Sequence, residues 1–150
     1  MIHILFASET GDAKSMAHEV RMHVIRTGHE AMVLDMDSTS LGDLDQASFC
    51  LAVVSNRGEE GCLPMAKNFY EELVEAGGNR FSHLRYGVYA RGEGRRDDEV
   101  RPFAKELDLV LERRGATRVL PFVENDLLPD TQFESWMDAV EGVLQWGGAR

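Results

Sequence analysis

Apolar positions change period along this chain, and each change marks an element. Ile2 to Ala7 (IHILFA) is nearly continuous in apolar residues, the pattern of a buried strand. A polar turn, Ser8-Glu9-Thr10-Gly11-Asp12-Ala13, follows. A helix then begins near Lys14, with Ala13, Met16, Ala17, Val20 and Val24 on one face and a stop at Thr27-Gly28. Further strands are predicted over Ala31–Met36, Ser48–Ser55, Tyr86–Ala90 and Arg118–Val123. Between them lie three more apolar stripes at helical spacing. The first carries Met65, Phe69, Tyr70 and Leu73 and stops at Gly77-Gly78. The second carries Val100, Phe103, Ala104, Leu107, Val110 and Leu111 and stops at Gly115. The last carries Phe133, Trp136, Met137, Val140, Val143 and Leu144. The polar stretch Asp37–Asp45 has room for a short helix.

Strand and helix alternate with short connections throughout. That order predicts an α/β fold with an open, doubly wound parallel sheet and helices on both faces. With 150 residues and 43% hydrophobic content, the chain suits a single domain over its whole length. No apolar run is long enough to span a bilayer, and no signal-peptide pattern opens the chain, so a cytoplasmic location is expected. Cys50 falls in a strand and Cys62 in a loop; both are expected to be reduced thiols. The net charge of −10 argues against nucleic acid and anionic membranes. The acid is uneven. Between Arg118 and Arg150 there is no Lys or Arg, but there are Glu124, Asp126, Asp130, Glu134, Asp138 and Glu141. This segment is either a solubilising face or a docking surface for a basic partner.

In an open α/β sheet, ligands sit at the carboxyl ends of the strands. Three loops therefore frame the candidate site: Ser8–Ala13, Ser55–Pro64 and Arg91–Asp98. The first has the chemistry of an anion site. It joins a strand to a helix N-terminus, whose first N–H groups have no intrahelical partner and whose dipole adds partial positive charge. Ser8 and Thr10 add hydroxyl donors, and Gly11 lets the backbone approach a ligand closely. A phosphorylated ligand is the expectation. The five histidines show no metal-ligand spacing, and no nucleophile–base pairing stands out. Trp136 and Trp146 occupy apolar helix positions and read as packing residues.

The loop Ser8-Glu9-Thr10-Gly11-Asp12-Ala13 resembles the flavodoxin phosphate loop, usually Ser/Thr-x-Thr-Gly-x-Thr/Ala. Val54-Ser55-Asn56-Arg57-Gly58-Glu59-Glu60-Gly61 resembles the Ser-Thr-x-Gly-x-Gly loop of short flavodoxin-like proteins and of the flavodoxin domain of sulfite reductase flavoprotein. Phe69-Tyr70-Glu71-Glu72-Leu73, and Pro129 leading into Phe133-Glu134-Ser135-Trp136, are similar to the MioC branch of that family. The resemblance implies a five-stranded sheet of order 2-1-3-4-5 and noncovalent FMN. It also implies one-electron transfer between an NADPH-dependent flavoprotein reductase and a redox acceptor protein, by a monomer that is not itself an enzyme; the acidic C-terminal third suits basic surfaces on those partners. By position, Ser8, Glu9, Thr10, Gly11, Asp12 and Ala13 would surround the phosphate. Ser55, Asn56, Arg57 and Gly58 would border the ribityl chain and one side of the ring. Arg91, Gly92, Glu93 and Arg95 would border the other side.

Three departures from the family pattern stand beside the match. Neither Asn56–Leu63 nor Ala90–Asp98 contains an aromatic to stack on the ring, a contact contributing roughly 0.5–1.5 kcal/mol beyond area burial. Asp12 either faces the phosphate, and repels it, or caps the first helix and points away. Arg57, Arg91, Arg95 and Arg96 add cations near the ring. One could stack a guanidinium in place of the aromatic, or stabilise the anionic reduced flavin and raise its second potential. Arg95-Arg96-Asp97-Asp98 also reads as a solvated, self-neutralising loop. The alternative function is a flavodoxin-like interaction module with weak or lost FMN binding.

Overall fold

The computed structural model describes residues 1–7, 12–55, 66–91, 103–125 and 131–147, with backbone only at Asp12, Ser55, Glu124, Asn125, Trp146 and Gly147. Four full strands form the sheet: β1 (Ile2–Ala7), β2 (Ala31–Asp35), β3 (Phe49–Ser55) and β4 (Arg85–Arg91). Two short strands, β5 (Thr117–Arg118) and β6 (Val123–Asn125), share the remaining edge. Every pairing is parallel, in the order β2-β1-β3-β4-β5, with β6 also paired to β4. This is the expected 2-1-3-4-5 order.

Strand alternation divides the core in two. Leu5, Ala7, Ala52, Val54, Val88 and Ala90 face one side. There they meet α2 (Leu41–Asp45), α3 (Lys67–Ala76) and α4 (Phe103–Arg113) through Leu41, Leu44, Phe69, Leu73, Phe103 and Leu107. Ile4, Phe6, Leu51, Val53 and Tyr89 face the other side. They meet α1 (Asp12–Arg26) and α5 (Thr131–Gly147) through Ala13, Ala17, Val20, Phe133, Trp136 and Val140. Both faces of β1 and β3 are therefore covered, which is why their sequences lack alternation. Within the second cluster Tyr89 lies 5.1 Å from Phe133 and 5.5 Å from Trp136, centroid to centroid. Trp136 is thus a packing residue, as expected; the side chain of Trp146 lies outside the described residues. Helix α1 ends where the chain turns through Gly28 at φ +87°, a conformation open to glycine but not to branched residues.

The fifth strand departs from expectation. Instead of one run over Arg118–Val123, the chain pairs at Arg85↔Thr117 and Tyr86↔Arg118, leaves the ladder, and rejoins at Tyr89↔Val123. Two residues more are used here than on β4, so the strand is extruded around Leu120 and Pro121. Pro121 has no N–H for the ladder. Leu120 turns inward and packs over Gly87, where an added Cβ would stand 2.5 Å from Leu120 Cδ1. Smaller shifts occur elsewhere. Met36 leaves β2 for a 3-10 turn over Met36–Ser38, and α2 fills the rest of the polar stretch. The Asp43 carboxylate accepts from the Ser40 N–H at 2.9 Å and fixes the start of α2. Strand β4 gains a residue at each end of the predicted span, so Arg91 is its last residue rather than the first of a loop.

Candidate cofactor site

The sheet brings several strand ends to one level. Ala7 pairs with Val54, Ser55 with Arg91, and Arg91 with Asn125. The carboxyl ends of β1, β3, β4 and β6 thus lie side by side. The chain leaves β1 at Ala7 and enters α1 at Asp12, so the start of α1 stands at this same edge. Ala13, in the first turn, is fully buried in the cluster that holds Phe6, which seats the helix closely on the sheet. A helix N-terminus and a row of strand ends meet at this edge, the place where an open α/β sheet takes its ligand.

Of the residues expected at the site, Ala13 and Arg91 are described with side chains, and Asp12 and Ser55 by backbone. All four lie at this edge. Asp12 is the first residue of α1; the choice between its two orientations rests on a side chain outside the described residues. Arg91 is half-buried between Ser55 and Asn125. Ser8, Glu9, Thr10, Gly11, Asn56, Arg57, Gly58, Gly92, Glu93 and Arg95 lie outside the described residues, as do Cys62 and Arg96. Cys50 is fully buried in β3, and burial pushes its thiol up to about 12, so it stays protonated and inert.

Helix α5 carries the acidic face beside this edge. Glu134 and Asp138 are exposed, while Glu141 is drawn back onto α1 by His23 Nδ1 at 2.6 Å. A second polar contact was not anticipated from the sequence. Asp108 of α4 is fully buried and accepts from Arg118 Nε at 3.0 Å and from Arg118 Nη2 at 2.6 Å. The Tyr86 hydroxyl donates to the Asp108 carbonyl at 2.9 Å. This network ties β5 and β4 to α4 and is structural. Its signal was present: Asp108 sits beside Leu107, inside an apolar stripe where a carboxylate needs a partner. No helix among the described residues is long and apolar enough to cross a membrane.

Comparison with known proteins agrees with this geometry. The family model for flavodoxin matches residues 4–138. The sulfite reductase [NADPH] flavoprotein alpha-component of Bacillus subtilis (strain 168) is 28% identical over 148 residues, covering 98% of this chain and 24% of that protein. The bifunctional cytochrome P450/NADPH–P450 reductase of Fusarium oxysporum is 26% identical, covering 98% of this chain and 14% of that protein. The chain spans about a quarter or less of such relatives. Among solved structures, a flavodoxin variant from Pseudomonas aeruginosa superposes with a TM-score of 0.80 at 23% identity, covering 96% of this chain and 98% of that one. The chain belongs to the flavodoxin family. Proteins of this family bind FMN.

Proposed function

We propose that this chain carries electrons from an NADPH-dependent flavoprotein reductase to a redox acceptor protein, docking on basic surfaces of both. FMN, when bound, supplies the chemistry by accepting and releasing electrons one at a time. The chain's own residues bind it, set its environment and present its edge; they break no bonds, and on this reading the protein is not an enzyme. Ser8, Thr10 and Gly11 hold the phosphate by hydroxyl and backbone donors at the start of α1, with Glu9, Asp12 and Ala13 beside them. Ser55, Asn56, Arg57 and Gly58 border one side of the ring, and Arg91, Gly92, Glu93 and Arg95 the other.

The observation that carries the reading is the aligned carboxyl edge. Four strand ends and the N-terminus of α1 meet there, and the Ser/Thr/Gly loop joins two of them. The donor chemistry fits a phosphate monoester. The exposed Glu134 and Asp138 on α5, a helix with no Lys or Arg, support a basic docking partner. A monomer in the cytoplasm completes the proposal.

The test is stopped-flow reduction of the FMN-loaded protein by an NADPH-dependent flavoprotein reductase, across a range of ionic strengths. A second-order rate that falls as salt rises is expected. The double variant Glu134→Gln/Asp138→Asn should slow it and flatten the salt dependence. A salt-independent rate, unchanged in the variant, would remove the acidic face from docking.

A further inference from the structure

Strand β2 is one edge of the sheet. Its register decides which backbone groups face outward. The Ile2 N–H donates to the Glu30 carbonyl at 3.1 Å, and Ile2 pairs with Ala31. In a parallel ladder this turns the N–H and C=O groups of Met32 and Leu34 toward β1, and those of Ala31, Val33 and Asp35 away from it. Two of the outward carbonyls hold side chains. Arg21 Nε donates to the Ala31 carbonyl at 3.2 Å, and Thr39 Oγ1 donates to the Asp35 carbonyl at 2.6 Å. Val33, between them, has no such partner among the described residues.

Both sides of this edge expose apolar surface. Five large hydrophobics are exposed among the described residues, and three of them flank β2: Met22 and Ile25 on α1, and Met32 on β2 itself. Ala31 and Val33 pack in the cluster under α1, whereas Leu34 packs in the opposite cluster. Met32 shares the side of Leu34, so the exposed residues lie on the two faces that an added strand would cover. The α1 side is also cationic. Arg21 is held at the edge by its bond to Ala31, and helical spacing puts Lys14, His18 and Ile25 on the same flank. Glu19 falls off this flank by its spacing, and the His23–Glu141 pair marks the opposite one, toward α5. On the strand, Glu30 and Asp35 stand only at the two ends. In a chain of net charge −10, the centre of this edge therefore faces Lys14 and Arg21.

We propose that β2 takes an extended segment of a partner protein as an added strand, one in which acidic and apolar side chains alternate. The segment pairs through the N–H and C=O of Val33 and the N–H groups of Ala31 and Asp35. Its acidic row faces Lys14 and Arg21, and its apolar row covers Met32. A second copy of β2 does not meet these demands: it has no acidic row, and its own Lys14 and Arg21 would face the first pair. This surface is separate from the acidic face of α5 and serves a partner of opposite charge.

The test is an NMR titration of the backbone amides with the peptide acetyl-Glu-Val-Glu-Val-Glu-Val-amide. Shifts are expected at Ala31, Val33 and Asp35 and along the Arg21 flank of α1, saturating at about millimolar peptide or below. A counterpart with Lys for each Glu should bind at least about tenfold more weakly. A fully N-methylated form has no N–H to donate and should not bind. Lys14→Gln/Arg21→Gln should weaken the glutamate peptide roughly threefold to tenfold and flatten its salt dependence. An unaltered spectrum away from β2 shows that this variant is folded; Lys14→Gln alone leaves the Arg21 contact in place if it is not. No shift in β2 at millimolar peptide, equal binding of the lysine form, or undiminished binding of the N-methylated form overturns the proposal.

Discussion

Gly87→Ala tests the account of the broken edge strand. Gly87 lies on β4 beneath Leu120, the residue extruded between β5 and β6. A Cβ at position 87 would stand 2.5 Å from Leu120 Cδ1, 2.9 Å from its Cβ and 3.2 Å from its Cγ. Carbon contacts are optimal at about 3.5–4.0 Å, so relief needs a shift of roughly 1 Å. Rotating the end of Leu120 does not suffice, because its Cβ is fixed by the backbone. That backbone is anchored next door by the Val119 N–H on the Tyr86 carbonyl at 3.0 Å. Overpacking of this kind costs about 1–3 kcal/mol. The buried Leu120 (2% exposed) should itself lose about 2–5 kcal/mol as Leu120→Ala. Leu120→Ala removes the Cδ1 and Cγ contacts and leaves only the Cβ at 2.9 Å, so Gly87→Ala should cost less in the Leu120→Ala background than in wild type. Urea unfolding of the four proteins gives the double-mutant cycle. A Gly87→Ala loss below about 0.5 kcal/mol, or full additivity with Leu120→Ala, would refute the reasoning.

Three more predictions follow from named contacts. Asp108→Ala should destabilise by about 3 kcal/mol, the low end for a broken buried pair because Arg118 keeps Glu112 at 3.3 Å; a loss under about 1 kcal/mol in denaturant unfolding would reduce the network to a surface pair. Burial, and then the nearby N-terminal ammonium, hold the His3 imidazole below its ordinary 6.5, so the unfolded chain takes up the proton first and stability falls as pH drops through 6.5. His3→Gln should flatten that part of the stability–pH curve, and an unchanged slope between pH 7.5 and pH 5 would reject it. Thr10→Ala should weaken FMN by removing a phosphate donor; an unchanged dissociation constant would take Thr10 out of the site.

Which features were legible in the sequence follows from how local their causes are. Strands β1 and β3 are buried on both faces, so their apolar runs announce them with bounds accurate to one residue. The stripes of α1, α4 and α5 are equally plain, since a helix with one buried face repeats it every turn. The break between β5 and β6 depends on a space over Gly87 that exists only after β4 is in place, and periodicity cannot show it. Pro121 was the local clue, because a proline inside a strand pattern marks an edge or a bulge. Arg91 was read as loop because an arginine after apolar residues ends a hydrophobic run; its backbone pairing with Ser55 and Asn125 is a tertiary fact. The candidate site was legible as a loop motif, whereas the place of Arg91 at the end of β4 needed the register.

FMN titration into flavin-stripped protein tests the central claim most directly. Saturable one-to-one binding at about micromolar affinity or tighter, with a change in flavin fluorescence, is the predicted result. No binding at high FMN would contradict it and leave a flavodoxin fold kept without its cofactor.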